Sequence, residues 1–241
     1  MMKTIWTALA IMIATQTMGQ LLYPGDVTIA GDEEVVFDYD TDNCSGTMSV
    51  DGCPQFFRDA DDQIQVIIPH EDIFRMKGPD FNSLSIECGD AVITSDWDPD
   101  PAHFNYAEWL SSTWTEDGAT IYGLVHSEWH GYDFDGECLS SDVMKCWYNG
   151  ITLVQSTDTG RTYTHATAPD HLVMSVPYEY DASLQSRQGA FGPSNIVAHP
   201  TDGYYYALFY TEENVNGTST YLQGGGTCVM RTTDLSDPGS W

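Results

Sequence analysis

Basic residues are scarce in this sequence. The 241 residues include 8 Lys and Arg against 36 Asp and Glu, which gives a formal net charge of −28 at pH 7. So few basic side chains cannot form a cationic face, so nucleic acid and anionic membranes are not predicted partners. An anionic ligand would be repelled at long range, and the composition therefore favours a neutral one.

Several motif classes are absent as well. The sequence has no C-x2-C spacing for zinc, no phosphate-binding glycine loop with its Lys, and no G-x-S-x-G nucleophile elbow. Residues 38–43 begin like a calcium loop but lack its glycine and its final Glu, which indicates a solvated acidic loop. The sequence therefore predicts no cofactor, with a structural divalent cation kept as an alternative.

The first 19 residues have the pattern of a secretory signal peptide. A short positive start at Met1-Met2-Lys3 precedes a mostly apolar stretch, and Thr17 and Gly19 are small residues where a signal peptidase would read them. The apolar stretch is roughly 11 residues long, too short for a bilayer span of about 20. We expect cleavage near Gly19, a secreted or periplasmic protein without a membrane anchor, and one folded domain over residues 20–241.

Cysteine content agrees with secretion, because an even number of cysteines in a secreted chain is typical of disulfides. Spacing favours two local pairs, Cys44 with Cys53 and Cys138 with Cys146. Cys88 and Cys228 would then form the third pair, which is the least determined one.

Three repeats dominate the rest of the chain. In each, a short β-branched or aromatic strand leads through an Asp-containing turn into a second strand, with turns at Asp61-Asp62, Asp117-Gly118 and Asp202-Gly203. The strands before these turns are predicted at 54–58, 109–114 and 195–199, and those after them at 63–68, 120–125 and 204–210. A third strand follows at 151–155 and 227–230, with 85–95 as the weaker first copy.

Four-stranded units of this size are typical of β-propeller blades, with a β-sandwich as the alternative. The last repeat stops at Trp241, where its outer strand should begin. We therefore expect an all-β protein, an incomplete propeller of about three to four blades that is truncated at its C-terminus. Alternatively, residues 23–39 complete a further blade.

Two segments carry a family resemblance. Residues 156–163, STDTGRTY, fit the S-x-D-x-G-x-T-W/Y "Asp box" of sialidase-like propellers, and residues 231–241 look like the matching segment of five-bladed glycoside hydrolases. From about residue 51 onward the chain resembles secreted sialidase-like or five-bladed β-propeller glycosidases, including arabinanase- and fructosidase-like enzymes. A sialidase is not preferred, since only five arginines are present and three would have to hold the substrate carboxylate.

The densest group of reactive side chains lies at residues 124–131, LVHSEWHG. On a strand, His126, Glu128 and His130 would share one face and Ser127 and Trp129 the other. Three titratable groups on one face indicate a pocket wall. A solvated His/Glu cluster and a divalent metal site are the alternatives.

The resemblance also implies catalytic carboxylates on inner strands that point into a central funnel. It makes Asp51, Glu108 and Glu128 the candidates, one to protonate the leaving oxygen and one to activate water or attack the sugar. The sequence leaves acid and base unassigned. Candidate sugar contacts are aromatic rings and polar groups: His126, His130, Trp129, Arg58, Arg75, His70, Tyr148, Asn149 and Asn195.

These patterns together predict a secreted carbohydrate-active protein that cleaves glycosidic bonds. A non-catalytic propeller that binds carbohydrate or another surface, and an inactive fragment, are the alternatives. The sugar is predicted to be neutral, and the sequence leaves the oligomeric state open.

Overall fold

Antiparallel β-sheets provide nearly all the regular structure of this chain. The computed structural model describes residues 30–44, 50–70, 72–89, 91–183, 186–215 and 221–241. The predicted signal peptide, residues 1–19, lies outside these residues. The chain divides into two units, Met1–Glu34 and Val35–Trp241. Residues 30–34 of the first unit contain no helix or strand, and the sheets belong to the second.

The first sheet contains five strands: β1 (Gln55–Arg58), β2 (Ile64–Ile68), β3 (Asp72–Gly78), β4 (Ser85–Glu87) and β5 (Ile93–Thr94). The order is β1-β2-β3-β4, and β5 pairs with β3. The β-branched residues of β2 are all buried, as expected for a strand covered on both faces.

The third strand of this sheet differs from the sequence prediction. It is β3, whereas residues 85–95 supply only the short β4 and β5. Two basic residues within β3, Arg75 and Lys77, hide its apolar pattern. Both find partners in the fold, Arg75 with Glu87 and Lys77 with Asp59.

The second sheet contains six strands: β6 (Ala107–Trp114), β7 (Ile121–His130), β8 (Trp147–Ser156), β9 (Thr164–His165), β10 (Leu172–Met174) and β11 (Gln188–Gly189). The order is β10-β8-β7-β6, with β9 and β11 also paired to β8, the latter in parallel. β7 and β8 are ten residues long and register residue for residue from Ile121–Ser156 to His130–Trp147.

The third sheet contains β12 (Val197–Ala198), β13 (Tyr205–Thr211) and β16 (Gly226–Thr232). Between β13 and β16 in the chain, β14 (Asn214–Val215) and β15 (Tyr221–Gln223) pair with each other as a separate two-stranded sheet. Short 3₁₀ turns occur at Phe81–Ser83, Pro101–His103, Gly131–Asp133, Val143–Lys145 and Pro238–Ser240. No helix in the described residues has the length and apolar character to cross a membrane.

The Asp-containing turns lie where the sequence predicts them. Asp59 Oδ1 accepts bonds from the backbone N–H groups of Asp61 and Gln63 in the β1–β2 turn. Asp117 Oδ1 accepts from Ala119 and Thr120 in the β6–β7 turn. These side chains replace backbone partners that a turn leaves unpaired, which explains the repeated Asp.

Side-chain hydrogen bonds hold the turn at residues 156–163. Ser156 Oγ accepts from the Gly160 N–H at 2.8 Å, and Asp158 Oδ1 accepts from the N–H groups of Arg161 and Thr162. Gly160 has a φ of +77°, which an L side chain rarely adopts. Tyr163 is buried in the core. These contacts define the local turn, while the Asp-box family assignment stays a prediction.

The second sheet lies between the other two. One buried cluster joins Ile67 and Ile73 of the first sheet to Leu110 and Val125 of the second. Another joins the second sheet to the third: Leu124, Ile151 and Leu153 pack with Ala207, Phe209 and Met230. The fold is all-β, and its sheets do not close into a ring within the described residues.

The disulfides differ from two of the three predicted pairs. Cys138 pairs with Cys146 as predicted, but Cys44 pairs with Cys88, and Cys53 and Cys228 are free and exposed. The predictions of Cys44–Cys53 and Cys88–Cys228 are therefore wrong. Cys44 packs against the buried cluster of the first sheet that contains Ile64 and Met76, so it meets a cysteine distant in sequence.

Candidate active site

The end of β7 places three titratable side chains on one face of the second sheet. His126 lies opposite Trp109 of β6, Glu128 opposite Asn149 of β8, and His130 opposite Trp147 of β8. All three β7 side chains line one cavity of about 560 Å³, here called the carboxylate cavity. Its other lining residues are Asp51, Gly52, Cys53, Pro69, Trp109, Ser111, Tyr132, Trp147, Gly192 and Pro193.

Glu128 is held between the two imidazoles. His130 Nε2 lies 3.0 Å from Glu128 Oε2, and His126 Nδ1 lies 3.6 Å from Glu128 Oε1. His130 Nδ1 is 3.0 Å from the hydroxyl of Tyr132. If Tyr132 donates to Nδ1, Nε2 carries the proton and donates to Glu128.

Burial keeps His126 neutral. Its pKa is lowered mainly by burial, with Glu128 opposing that shift and the positive charge of Arg187 adding to it. Asn149, fully buried, has its Nδ2 at 3.2 Å from His126 Nε2. An amide donor at Nε2 leaves the ring proton on Nδ1, toward Glu128. His126 thus presents an N–H toward Glu128, and His130 presents a second one when Tyr132 donates to its Nδ1.

Asp51 reaches the same cavity from the first sheet. Its backbone N–H donates to the carbonyl of Pro69 at 3.1 Å, just beyond the end of β2. Asp51 is exposed and lines the cavity with Glu128. The structure thus brings together two of the three carboxylates that the sequence singled out.

Aromatic rings frame this cavity. His130 stacks on Tyr132 and on Trp147, with ring centroids 5.1 Å apart in both pairs. Trp109 lies 6.3 Å from the His126 ring and 6.5 Å from the His130 ring. The cavity therefore combines carboxylates with flat apolar surfaces, the usual composition of a small-molecule site.

Glu108, the third predicted carboxylate, does not join them. It neighbours Trp109 on β6 and so faces the other side of the sheet, opposite Ser127. It is fully buried, with Oε1 at 2.6 Å from His165 Nε2. Burial raises the pKa of Glu108, and the contact with His165 opposes that shift.

Trp129 and Tyr148 line a different cavity, on the face opposite Glu128. β7 runs regularly to His130, so Trp129 stays on the face opposite the histidines. Arg58 and Asn195 line a third space of about 440 Å³ beside Trp114.

Arg75 and His70 also lie outside the carboxylate cavity. Arg75 is buried and holds Glu87 and Gln65. His70 follows Pro69 but is not among the described residues that line the cavity.

Two residues near the site were not identified from the sequence: Tyr132 and Arg187. The Arg187 guanidinium pairs with Glu212 and lies 5.0 Å from the Phe191 ring and 5.7 Å from the Trp147 ring. Arg187 lies in the long connection between β10 and β11, where the sequence has no strand pattern that could assign the side chain to a site. Trp147 lies opposite His130 in the register of β7 and β8.

The described residues contain no group of three His, Cys, Asp or Glu side chains placed to hold a metal ion. His126 Nδ1 lies next to one oxygen of Glu128, and His130 Nε2 lies next to the other. The metal alternative for these three residues therefore has no support in their geometry.

Comparison with known proteins gives only distant structural similarity. No family model matches the sequence, and no curated protein sequence matches it. Similar solved structures include an endo-1,4-β-xylanase from Bacteroides thetaiotaomicron, with TM-score 0.45, 15% identity, and coverage of 75% of this chain and 49% of that one. An α-L-arabinanase from Penicillium chrysogenum, complexed with arabinobiose, has TM-score 0.45, 10% identity, and coverage of 83% and 51%.

An α-L-arabinanase from Cellvibrio cellulosa has TM-score 0.39 and 10% identity, with coverage of 73% of this chain and 51% of that one. This chain therefore spans about half the length of these three structures. At such identities and scores the similarity carries no weight for an activity, which has to follow from the side chains of the site.

Proposed function

We propose that this chain is a secreted carbohydrate-active protein that hydrolyses glycosidic bonds in the carboxylate cavity. One observation carries the proposal: Asp51 and Glu128 line the same cavity as Trp109, Tyr132 and Trp147. Hydrolysis of a glycosidic bond requires two carboxyl groups at one site. Aromatic rings supply the flat faces on which a sugar ring packs.

Glu128 is assigned the role of base or nucleophile. Its two oxygens lie 3.0 Å from His130 Nε2 and 3.6 Å from His126 Nδ1, so two imidazoles flank the group that would activate water or attack the sugar. Asp51 is assigned the complementary role of proton donor to the leaving oxygen.

The substrate is proposed to be a neutral sugar. None of the described residues that line the cavity is Lys or Arg, so an anionic sugar would find no counter-charge there. The net charge of −28 opposes anions further.

We also propose that the three main sheets are blades of a β-propeller, with β1, β6 and β12 as inner strands. Two features support this proposal. In each of these sheets the proposed inner strand pairs with the next strand in a hairpin. The carboxylate cavity is lined by residues that precede β1 and β12 and by residues of β6. Secretion is supported by the Cys44–Cys88 and Cys138–Cys146 disulfides, which persist in oxidising compartments.

The test is sugar release from a panel of neutral oligosaccharides that includes arabino- and xylo-oligosaccharides, with an acidic sialoside as the contrasting substrate. We expect release from at least one neutral substrate. Glu128→Gln and Asp51→Asn should each lower the rate by about 10²–10⁴. Glu213→Gln, at an exposed carboxylate outside the cavity, is the matched control and should leave the rate unchanged.

Two outcomes would reject this proposal. Turnover that survives both Glu128→Gln and Asp51→Asn would place the chemistry elsewhere. Saturable binding of an oligosaccharide without release of sugar would support the non-catalytic alternative.

A further inference from the structure

A second cavity lies on the opposite face of the β7 end. It has a volume of about 740 Å³ and is here called the aromatic cavity. Trp129 and Tyr148 reach it because they alternate with the residues of the carboxylate cavity along β7 and β8. Its volume is within the range of small-molecule sites, and the proposed glycosidase chemistry does not use it.

The aromatic rings of this cavity are held in place. Phe134 stacks on Trp129 at 5.2 Å, and Tyr180 meets Trp129 edge-on at 4.7 Å. Trp129 Nε1 donates to the carbonyl of Pro99 at 3.0 Å, and the Tyr148 hydroxyl donates to that of Tyr178 at 2.6 Å. The wall is therefore preorganised, so little conformational entropy would be lost when a ligand binds.

The charge around these rings is of one sign. Asp100, Asp135, Glu137 and Glu179 line the cavity, and none of the described lining residues is Lys, Arg or His. Burial, together with Tyr178 and the charge of Glu179, raises the pKa of Tyr148 to about 12. Burial, Glu137 and Asp181 raise that of Tyr180 to about 12. Burial is the larger cause of both shifts, and the negative charges that add to it, Glu179, Glu137 and Asp181, would favour a cation.

We propose that the aromatic cavity binds an organic cation, a quaternary or alkyl ammonium group carried by a small molecule. Aromatic faces attract such a cation through their quadrupoles, and the attraction grows when the cation leaves water. Carboxylates at the rim add a Coulomb term. A neutral sugar would also pack on the rings and could donate hydroxyl hydrogen bonds to the carboxylates, but it would not gain the Coulomb attraction that a cation gains. Of the four carboxylates, Asp100 has a basic neighbour outside the cavity, with Oδ2 at 3.7 Å from His103 Nε2.

The test is titration of the full chain with choline and with its neutral carbon isostere, 3,3-dimethylbutan-1-ol, followed by calorimetry and by the amide and indole NMR signals. The two probes have the same shape and differ in charge. We expect choline to bind roughly tenfold more tightly than the isostere, since cation–π and charge terms together are worth about 1–2 kcal/mol. The shifted signals should include the Trp129 indole.

Variants separate the cavity from general charge effects. Glu137→Gln combined with Glu179→Gln should weaken choline binding about threefold to tenfold and leave isostere binding unchanged. Glu213→Gln is the matched control for loss of negative charge. Glu128→Gln should leave choline binding intact, so a failure of the glycosidase proposal is distinguishable from a failure of this one.

Three results would overturn the inference. Equal affinity for choline and the isostere would make the cavity a plain apolar pocket. No binding of choline at millimolar concentration would remove the site. Shifts at Trp129 and Tyr180 with a neutral oligosaccharide, but not with choline, would make it a second sugar site.

Discussion

Two carboxylate–imidazole clusters lie on neighbouring strands and differ in what surrounds them. Glu128 of β7 meets His126 and His130 at the wall of an open cavity. Glu108 of β6 meets His165 with no exposed surface. The His165 ring lies 4.8 Å from that of His171, which is also fully buried.

This difference teaches that chemically similar clusters can have opposite roles. Both clusters contain shifted groups: burial raises the pKa of Glu108 and lowers that of the neighbouring His171, and it lowers the pKa of His126 beside Glu128. Such shifts are typical of functional sites, yet no substrate could reach Glu108. Access to space for a ligand, more than the size of an electrostatic perturbation, identifies Glu128 as the functional candidate.

The largest expected effect comes from comparing the same substitution in both clusters. Glu128→Gln should lower turnover by about 10²–10⁴, because it removes the ionisable group at the reacting centre. Glu108→Gln should change the turnover rate by no more than about twofold from that of the parent, because Glu108 touches no ligand. Such a change is far smaller than the loss expected for a catalytic group. Initial rates and melting temperatures of both variants provide the measurement. Equal rate losses in the two would show that the buried cluster also serves the reaction.

A thiol reagent tests which cluster is open. Cys53 is free, exposed and part of the carboxylate-cavity wall. Alkylation with iodoacetamide should lower turnover roughly tenfold to a hundredfold by displacing the substrate.

Cys53→Ser is the control for that experiment. In this variant the reagent still meets the free, exposed Cys228, and activity should survive. Mass spectrometry should count two reactive thiols in the unmodified protein and one in the variant. Equal inhibition of both proteins would contradict the assignment of Cys53 to the cavity.

A smaller effect is expected from Tyr132→Phe. The change keeps the ring that stacks on His130 and removes the hydroxyl 3.0 Å from its Nδ1. Tyr132 acts here as a positioning residue, so kcat should fall about fivefold, in line with one hydrogen bond, with KM unchanged. A rise in KM with constant kcat would instead assign the hydroxyl to substrate binding.

The smallest effect concerns stability at Glu108. Its pKa in the folded protein is raised above the ordinary value of 4.5, so the folded state keeps a proton that the unfolded chain has lost. Stability from this group is present below that value and is lost as pH rises through the folded pKa. Glu108→Gln removes this loss. The melting temperature of the variant minus that of the parent should therefore be about 2–4 °C larger at pH 7 than at pH 4. Thermal scans across that range measure the difference, and a constant offset would contradict it.

Local patterns predicted much of the fold. Asp117-Gly118 and Asp202-Gly203 lie in the turns they indicated, since Asp oxygens and Gly backbones are needed there. The alternation of residues 126–130 placed two histidines and Glu128 on one face. Residues 107–112 belong to β6, where Glu108 and Trp109 pack on opposite sides of the sheet.

Long-range pairing was beyond the sequence. Cys44 meets Cys88 across 44 residues, and no local rule favours that partner over Cys53. The sequence alone did not show which face of the sheet Glu108 occupies. That face follows from the register of Glu108 with Ser127. Arg187 approaches the site from a connection with little regular structure, so its position depends on tertiary packing alone.

The alternation along β7 also restricts how this protein can evolve. His130 and Trp129 are consecutive residues that line two different cavities. Insertion or deletion of one residue upstream in β7 would exchange the two sets, turning Trp129 toward Asp51 and His130 toward Tyr180. We therefore expect a lineage that descends from this chain to change its loops freely in length while the length of β7 stays constant.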